Sequence, residues 1–312
     1  MHRTKTHFAQ RVTRVANALE RRGVTATYEL HDRVLSNRQS RRLFERDRPV
    51  LDEVQRRTVT ALETDGYAVV PFQELFPDGE AWASIEAQAD QFAAETEAAL
   101  AGDREGLRVR AGKEFVVRLN GFGAEVGLDD PWFRVCASRR LLDLANSYLG
   151  LCSKLEYVDL WYSVPQPEGA ERAASQLWHR DYNDKHLLKA FLYLCDVDEE
   201  TGPFEYVAGS TAGGPYSDLR PWRPGGVGRI PAEEVNGHVP AEAVKTFTAP
   251  KGTLILCNTS GLHRGGYTTK RPRVLATVTY SSPASLASLT ERNYALQAPP
   301  DGLETPVRFA LT

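Results

Sequence analysis

The chain has little cysteine and no long apolar run. Its four cysteines form no C-x-x-C pair and mostly lie in apolar stretches, so we expect neither a disulfide framework nor a cysteine zinc site. No segment approaches the roughly 20 apolar residues of a membrane span. The N-terminus lacks the apolar centre and cleavage site of a signal peptide. These absences favour a cytoplasmic protein with reduced cysteines, Cys136, Cys152, Cys195 and Cys257.

Two common catalytic signatures are also missing. There is no G-x-S-x-G nucleophile motif, and "AGSTAGG" (208–214) lacks the strand-to-helix context of a phosphate-binding loop. Nucleophilic catalysis and nucleotide binding are therefore not indicated.

The net charge of −3 hides a basic N-terminal segment. Residues 1–57 hold 14 Lys and Arg against 7 Asp and Glu, so the rest of the chain is acidic. A basic arm can bind nucleic acid, but no aromatic residues alternate with these arginines, as single-strand binding would favour. We interpret the segment as an arginine-rich helical surface that packs on an acidic body, with no nucleic-acid partner.

Hydrophobic periodicity divides the chain into three parts. Helical spacing at about 5–22 and 49–63 predicts a helical, basic N-terminal extension over 1–57, with the second helix running into the main domain. One α+β domain follows over 58–290, and 291–312 form a C-terminal tail. The front of the domain is mainly helical, and many short strands with Pro/Gly turns follow from 151 onward. This order predicts a β-barrel or jelly roll with helices packed outside it.

The predicted elements of the domain are as follows. Helices are expected in "GEAWASIEAQADQFAAETEAALAG" (79–102) and in "WFRVCASRRLLDLANSYLG" (132–150), and strands in "YAVVPF", "EFVVRLNGF", "LEYVDLWYSV", "LLKAFLYLCDV", "FEYVAG", "VKTFTA", "GTLILCN" and "RVLATVTYSS".

The pair His179 and Asp181 in "SQLWHRDYND" is the first candidate for chemistry. In a strand, positions i and i+2 point to one side, so both side chains could bind one ion, with His263 as a third ligand. Two imidazoles and one carboxylate suit non-haem Fe(II), which needs open positions for a cosubstrate and O2. A solvated turn could hold the same H-x-D letters, and the nearby Asp184 and His186 are a rival pair.

The later stretch "KGTLILCNTSGLHRGGYTTKRPRVLATVTY" strengthens the metal hypothesis. An apolar strand leads to His263, and Arg273 then opens a second apolar strand. A cation at the start of a buried strand needs an anionic partner, and a guanidinium suits a carboxylate in a dry pocket.

At this point the sequence resembles the phytanoyl-CoA dioxygenase-like family of Fe(II)/2-oxoglutarate oxygenases. The resemblance covers roughly 60–285 and rests on four blocks in order: "DGYAVVPF", "WHRD", "LCDVDEETGPFEYVAGST" and "GTLILCNTSGLHRGG" followed by "RPRV". It implies a double-stranded β-helix core, a cupin-like jelly roll, with flanking helices.

The resemblance also implies residue roles. His179, Asp181 and His263 would bind Fe(II), and Arg273 would bind the distal carboxylate of 2-oxoglutarate. Tyr157 and Phe191 would lie beside the cosubstrate, and the candidate substrate contacts are Trp161, Tyr182 and Trp222.

Three departures from the family pattern concern the cosubstrate. The stretch "SVPQPEG" lacks the family's lysine, and Ala208 and Thr211 replace the usual Pro and His. Arg273 follows His263 by ten residues, where relatives often have eleven, which makes Arg271 a rival for the cosubstrate role.

These features predict a 2-oxoglutarate-dependent dioxygenase that uses Fe(II) and O2 and releases succinate and CO2. Its substrate would be a small to medium organic molecule. Asp181 favours hydroxylation or a related oxidation, since halogenating relatives have a small residue there, although ring rearrangement would share the same site. The alternative is a non-catalytic jelly-roll binding or regulatory protein that keeps the pocket. An excess of arginine over lysine, 30 to 8, is typical of GC-rich bacterial genomes and suggests a biosynthetic pathway.

The stretch 211–245 shows no clear element and is predicted to be a lid. Its aromatic residues offer apolar contact, and its glycines allow movement. Arg220, Arg223 and Arg229 could meet an anionic group of the substrate, or could be solvated and balanced by Glu233 and Glu234.

Overall fold

The computed structural model of the protein describes residues 22–121, 123–287, 292–297 and 302–312. Helix α1 is described over 22–33, so most of the helix predicted at 5–22 lies outside the described residues. The other helices are α2 (Ser36–Arg46), α3 (Glu53–Asp65), α4 (Phe72–Leu75), α5 (Glu80–Ala101), α6 (Pro131–Cys136), α7 (Arg139–Leu149), α8 (Ala232–His238) and α9 (Thr305–Leu311). In the part of the chain that is described, no helix is long and apolar enough to cross a membrane.

Helix α3 shows how local chemistry sets an element boundary. Asp52 accepts a hydrogen bond from the backbone of Gln55, and the Gln55 side chain accepts one from the backbone of Asp52. This capping box satisfies backbone groups that the first turn leaves unpaired. The helix ends at Gly66, whose φ of 81° and close approach to the Tyr206 hydroxyl leave no room for a side chain.

A seven-stranded sheet, here called the major sheet, forms the body of the domain. Its strand order is β1-β9-β6-β11-β5-β3-β2, and all of the pairings are antiparallel. Its strands are β1 (Tyr67–Pro71), β2 (Arg108–Arg110), β3 (Lys113–Arg118), β5 (Lys154–Ser163), β6 (Leu187–Tyr193), β9 (Thr253–Cys257) and β11 (Arg273–Ser281).

The two faces of the major sheet differ in chemistry. The outer face carries apolar residues such as Leu160, Leu192 and Val278, which pack with helices α3, α5, α6 and α7 in the main hydrophobic core. Full burial of one such side chain is worth about 1.5–3 kcal/mol. The inner face carries the polar and charged side chains of the site, because alternate residues of a strand point to opposite faces.

A second, minor sheet covers the inner face. It consists of β10 (His263–Arg264), β7 (Glu205–Val207) and β8 (Val244–Thr246), in the order β10-β7-β8. Isolated bridges extend it from His263 to His179 and from Trp178 to Ile230. Aromatic residues, among them Phe191, Phe204 and Tyr206, fill the space between the two sheets. Two facing antiparallel sheets with outer helices confirm the predicted cupin-like jelly roll.

Two sequence predictions need correction. The single helix predicted over 132–150 is two helices, α6 and α7, which meet at Ser138. The stretch 211–245 is not structureless, because it contains α8, a 3-10 turn and the start of β8, and its residues Leu219, Ile230 and Val235 are buried in a separate apolar cluster.

The chain ends also pack against the body. In the extension, Tyr28 and Asn37 are fully buried, and the Asn37 side chain donates to Ser282. In the tail, β12 (Tyr294–Leu296) pairs in parallel with β4 (Ala124–Val126), and α9 adds Val307 and Leu311 to the main core.

Candidate active site

The structure brings together the three predicted metal ligands. The ligand atoms of His179, Asp181 and His263 all lie within 4.8 Å of one another. The Asp181 carboxylate lies 3.7 Å from Nε2 of His179 and 3.8 Å from Nε2 of His263. Both histidines are buried, and they face the interior between the two sheets.

The tautomer of each histidine suits metal binding. Nδ1 of His179 lies 2.8 Å from the Leu177 carbonyl, and Nδ1 of His263 lies 3.0 Å from the Gly261 carbonyl. Because a carbonyl oxygen only accepts, Nδ1 carries the proton in both rings and Nε2 keeps its lone pair. Burial lowers the pKa of His179 well below its ordinary value and that of His263 to about 4, so both rings are neutral at neutral pH.

Backbone pairing holds the two histidines side by side. The amide of each donates to the carbonyl of the other, at 2.9 and 3.0 Å. The Asp181 amide donates to the Thr259 carbonyl at 2.8 Å, which ties the carboxylate to the loop before His263. The triad is therefore positioned by main-chain hydrogen bonds and does not depend on long strands.

Sequence reasoning missed Arg180, which lies between two of the ligands. Its buried guanidinium donates to four carbonyls, those of Ser210, Ser260, Tyr216 and Leu219. These bonds connect the triad to the loop before His263 and to the first part of the 211–245 segment. The letters "WHRD" hold this arginine, but its position between two ligands does not reveal its role.

Lys189 is the second residue that the sequence did not indicate. It projects from the inner face of β6 and donates from Nζ to Oδ2 of Asp181 at 2.6 Å. Burial opposes ionisation of Asp181, but Lys189 and the two histidines outweigh this effect and lower the pKa of the carboxyl below its ordinary value. The third ligand is therefore an anion held by an ion pair.

Arg273 lies at the start of β11 and is buried, as predicted. Its Nη1 donates to the Gly202 carbonyl, while its buried Nε has no hydrogen-bond partner in the described part of the chain. Among the described residues, no acidic side chain lies within ion-pair distance of it. A buried guanidinium without an anion is costly, so the site fits a ligand carboxylate.

The rival residues lie elsewhere. Arg271 is exposed and forms ion pairs with Asp198 and Glu200. Nε2 of His186 lies 3.2 Å from Asp32. Asp184 accepts from the Tyr28 hydroxyl at 2.5 Å, so this rival pair connects the N-terminal helices to the body.

The two predicted neighbours of the cosubstrate lie on the inner face. Phe191 contacts Phe204, with ring centroids 5.0 Å apart. The Tyr157 hydroxyl donates to Asp159 at 3.0 Å and accepts from the Trp161 indole at 2.9 Å. Arg118 lies over the rings of Tyr157 and Trp161, so these residues form one polar and aromatic cluster.

The other candidate substrate contacts lie at the mouth of the site. The Trp222 indole donates to the Asp181 carbonyl at 2.7 Å and packs on the Tyr28 ring of α1. Tyr182 is 53% exposed and lies beside Gly226. The 211–245 segment and the N-terminal extension therefore both contribute to the rim.

A jelly roll with two histidines and one carboxylate between its sheets defines the class of non-haem iron oxygenases. The phytanoyl-CoA dioxygenase (PhyH) family model matches residues 62–274. The chain belongs to this family, and it is a 2-oxoglutarate-dependent non-haem iron enzyme that uses Fe(II), 2-oxoglutarate and O2.

Solved structures with a similar fold include an epimerase and a carbocyclase. The epimerase SnoN, in complex with Fe3+, alpha ketoglutarate and nogalamycin RO, has a TM-score of 0.48 and 19% identity, over 80% of this chain and 92% of SnoN. HygX from Streptomyces hygroscopicus, with nickel, 2-oxoglutarate and hygromycin B bound, has a TM-score of 0.47 and 17% identity, over 72% of this chain and 86% of HygX. EctD from S. alaskensis, with 2-oxoglutarate and 5-hydroxyectoine, has a TM-score of 0.47 and 17% identity, over 78% of this chain and 84% of EctD. Likeness at this level does not extend to reaction or substrate, and no curated protein matches the chain.

Proposed function

We propose that the protein hydroxylates, or otherwise oxidises, a small to medium organic molecule in a biosynthetic pathway, with release of succinate and CO2. One observation carries the proposal: the His179–Asp181–His263 triad faces the same interior as Arg273, a buried cation without an acidic partner among the described residues. In this proposal the triad binds Fe(II), and Arg273 binds the distal carboxylate of 2-oxoglutarate.

Bound iron and 2-oxoglutarate would supply the oxidising chemistry, with one oxygen atom going to succinate and the other to the substrate. The chain itself supplies neutral Nε2 lone pairs, one carboxylate held by Lys189, and a buried position for both histidines. Phe191 and Tyr157 line the cosubstrate space, and Trp161, Tyr182 and Trp222 contact the substrate. The presence of Asp181 favours hydroxylation over halogenation.

The test is succinate release by the purified protein with Fe(II), ascorbate and 2-oxoglutarate alone. Members of this class release succinate slowly without substrate, and we expect the same here. The matched control is Asp181→Asn, which keeps the size of the side chain but removes its charge and should abolish release. Equal succinate release by wild type and variant would contradict the proposal. So would the absence of succinate release by wild type that has bound its full complement of Fe(II).

We propose that residues 220–229 are the part of the 211–245 segment that closes over the substrate. Positive φ angles at Gly225, Gly226 and Gly228 support a compliant turn there, whereas α8 packs in an apolar cluster. Hydrogen exchange should be faster in 220–229 than in 232–243 without substrate. Equal protection of the two parts would contradict the lid proposal.

The four cysteines support a proposed cytoplasmic location. All are free, and three are buried. Free cysteines are typical of a reducing compartment.

A further inference from the structure

Besides Arg273, two cations that interact electrostatically with Asp181 have no acidic partner among the described residues. We propose that the substrate carries an anionic group, a carboxylate or a phosphate, which binds to Arg229 at the mouth of the site together with Lys113. This inference rests on the proposed function, because it names the chemical class of substrate for the same site.

The position of Arg229 follows from the backbone. Ile230 pairs antiparallel with Trp178, and its amide donates to the Trp178 carbonyl at 2.9 Å. Arg229 precedes Ile230 and His179 follows Trp178, so the two residues lie next to this isolated bridge on opposite strands. Residues directly opposite in an antiparallel pair project on the same side. Arg229 therefore projects on the side of the metal ligand, and it interacts electrostatically with Asp181 and Tyr182.

The turn that presents Arg229 is held at both ends next to the ligands. At one end the Trp222 indole donates to the Asp181 carbonyl, and at the other the Ile230 amide donates to the Trp178 carbonyl. Between these two points the turn passes close to Tyr182, because a Cβ added at Gly226 would lie 3.4 Å from the Cβ of Tyr182. The guanidinium is thus held near the site while it stays open to solvent, as an anchor for an incoming ligand must be.

Lys113 is the first residue of β3 in the major sheet. It is half-buried on β3 and interacts with Lys189 and Asp181. Burial, and then the charge of Lys189, lower the pKa of Lys113 to about 8, so a nearby anion would stabilise its charged form. Within the described residues, no carboxylate lies at ion-pair distance from Lys113 or Arg229.

The local charge balance supports an anionic ligand. Lys189 compensates Asp181 through their ion pair. Fe(II) and the dianion of 2-oxoglutarate compensate each other. Arg273 binds the distal carboxylate of 2-oxoglutarate in the proposed function, so the charges of Lys113 and Arg229 remain without an anionic partner among the described residues. A neutral or cationic substrate would leave this positive charge uncompensated, whereas a carboxylate or phosphate would compensate it.

Inorganic phosphate is a suitable probe, because Mn(II) can replace Fe(II) without turnover and shortens the relaxation of nearby phosphorus nuclei. Phosphate is titrated into the full-length protein with Mn(II) and 2-oxoglutarate, and 31P relaxation is measured. We expect saturable enhancement in wild type and at least tenfold weaker phosphate binding in Arg229→Gln. Arg56→Gln, which changes an exposed arginine of α3 outside the 211–245 segment, should bind phosphate like wild type. If equimolar acetate displaces the phosphate, the anionic group of the substrate is assigned as a carboxylate. If the phosphate stays bound, the group is assigned as a phosphate.

Non-saturable enhancement, or equal affinity in wild type and Arg229→Gln, would overturn the inference. If Arg229→Gln fails to bind Mn(II), Lys113→Gln serves as the second variant, with a several-fold loss expected. Succinate release by wild type is measured in parallel. If wild type releases no succinate, the proposed function is wrong. If wild type releases succinate but the variants bind phosphate as wild type does, only the inference of an anionic substrate is wrong.

Discussion

The major and minor sheets differ in how they are built and in what they contribute to the site. The major sheet has strands of up to 10 residues, such as β5, and packs its outer face on the helices. The strands of the minor sheet have only two or three residues, yet it supplies both histidine ligands through β10 and its bridge to His179. Long buried strands are therefore not what positions the metal ligands.

The minor sheet replaces strand length with specific hydrogen bonds. Arg180 donates to four carbonyls around it, and Ser210 Oγ accepts from the Leu262 amide at 2.7 Å. Hydrogen bonds between buried polar groups can specify a unique arrangement where little apolar area is available. The major sheet supplies the rigid wall, with Arg273 and Lys189 on it, and the minor sheet supplies the ligands.

The largest effect is expected from removal of a minor-sheet ligand. His263→Ala should weaken metal binding by more than the roughly 10–100-fold typical of changes to groups that only support ligands, and should abolish turnover. Calorimetric titration with Co(II), together with succinate release, checks this. His238→Ala is the matched control, since His238 lies on the surface near Asp218. Full metal stoichiometry and activity in His263→Ala would rule out the triad.

Arg273→Ala tests the contribution of the major sheet. Loss of the guanidinium leaves the carboxylate of 2-oxoglutarate without a partner, which should cost on the order of 2–5 kcal/mol of cosubstrate binding. The 2-oxoglutarate concentration for half-maximal succinate release should rise steeply, while Co(II) affinity stays nearly unchanged. Arg271→Ala, at the exposed ion pairs, should have little effect. The reverse pattern would transfer the role to Arg271.

The two sheets also differ in how well the sequence predicts them. The strands predicted in the "LEYVDLWYSV" and "RVLATVTYSS" segments are confirmed as β5 and β11, because long apolar runs carry a clear signal. β10 is only His263–Arg264, too short for any periodicity, so His263 could be found only through its motif. Helix α8 was missed because its few apolar residues pack in a local cluster under the 211–245 segment.

The site residues show the same division. His179, Asp181, His263 and Arg273 were predicted from motifs and lie where the motifs indicate. Lys189 was not predicted, because the sequence of β6 is that of an apolar strand and the partner of Lys189, Asp181, lies outside β6. Contacts that depend on the facing of two sheets cannot be derived from spacing along one strand.

Asp159 tests whether the inner face of the major sheet is dry. Burial raises the pKa of this carboxyl from 3.8 to about 6, so the native state holds a proton more tightly than the unfolded state. Between about pH 4 and pH 6 its contribution to stability is therefore lost as pH rises. Asp159→Asn removes this dependence. From pH 4 to pH 7, the free energy of unfolding of the variant should rise by about 2–3 kcal/mol relative to that of wild type.

Urea denaturation of both proteins across this pH range measures the shift. The exposed Asp78→Asn serves as the control and should show no comparable change. A constant difference between Asp159→Asn and wild type would mean that water reaches this carboxyl.

Lys189→Met is expected to have the smallest effect, and it addresses the ion pair between Lys189 of the major sheet and the ligand Asp181. Lys189 Nζ donates to Oδ2 of Asp181 at 2.6 Å, and methionine keeps the length of the buried side chain but removes the donor. A carboxylate that loses its orienting partner should bind metal about tenfold more weakly. Co(II) titration measures this, with the surface variant Lys270→Met as control. Tighter Co(II) binding in Lys189→Met would show instead that the lysine competes with the metal for Asp181, so that the major sheet restrains the site and does not support it.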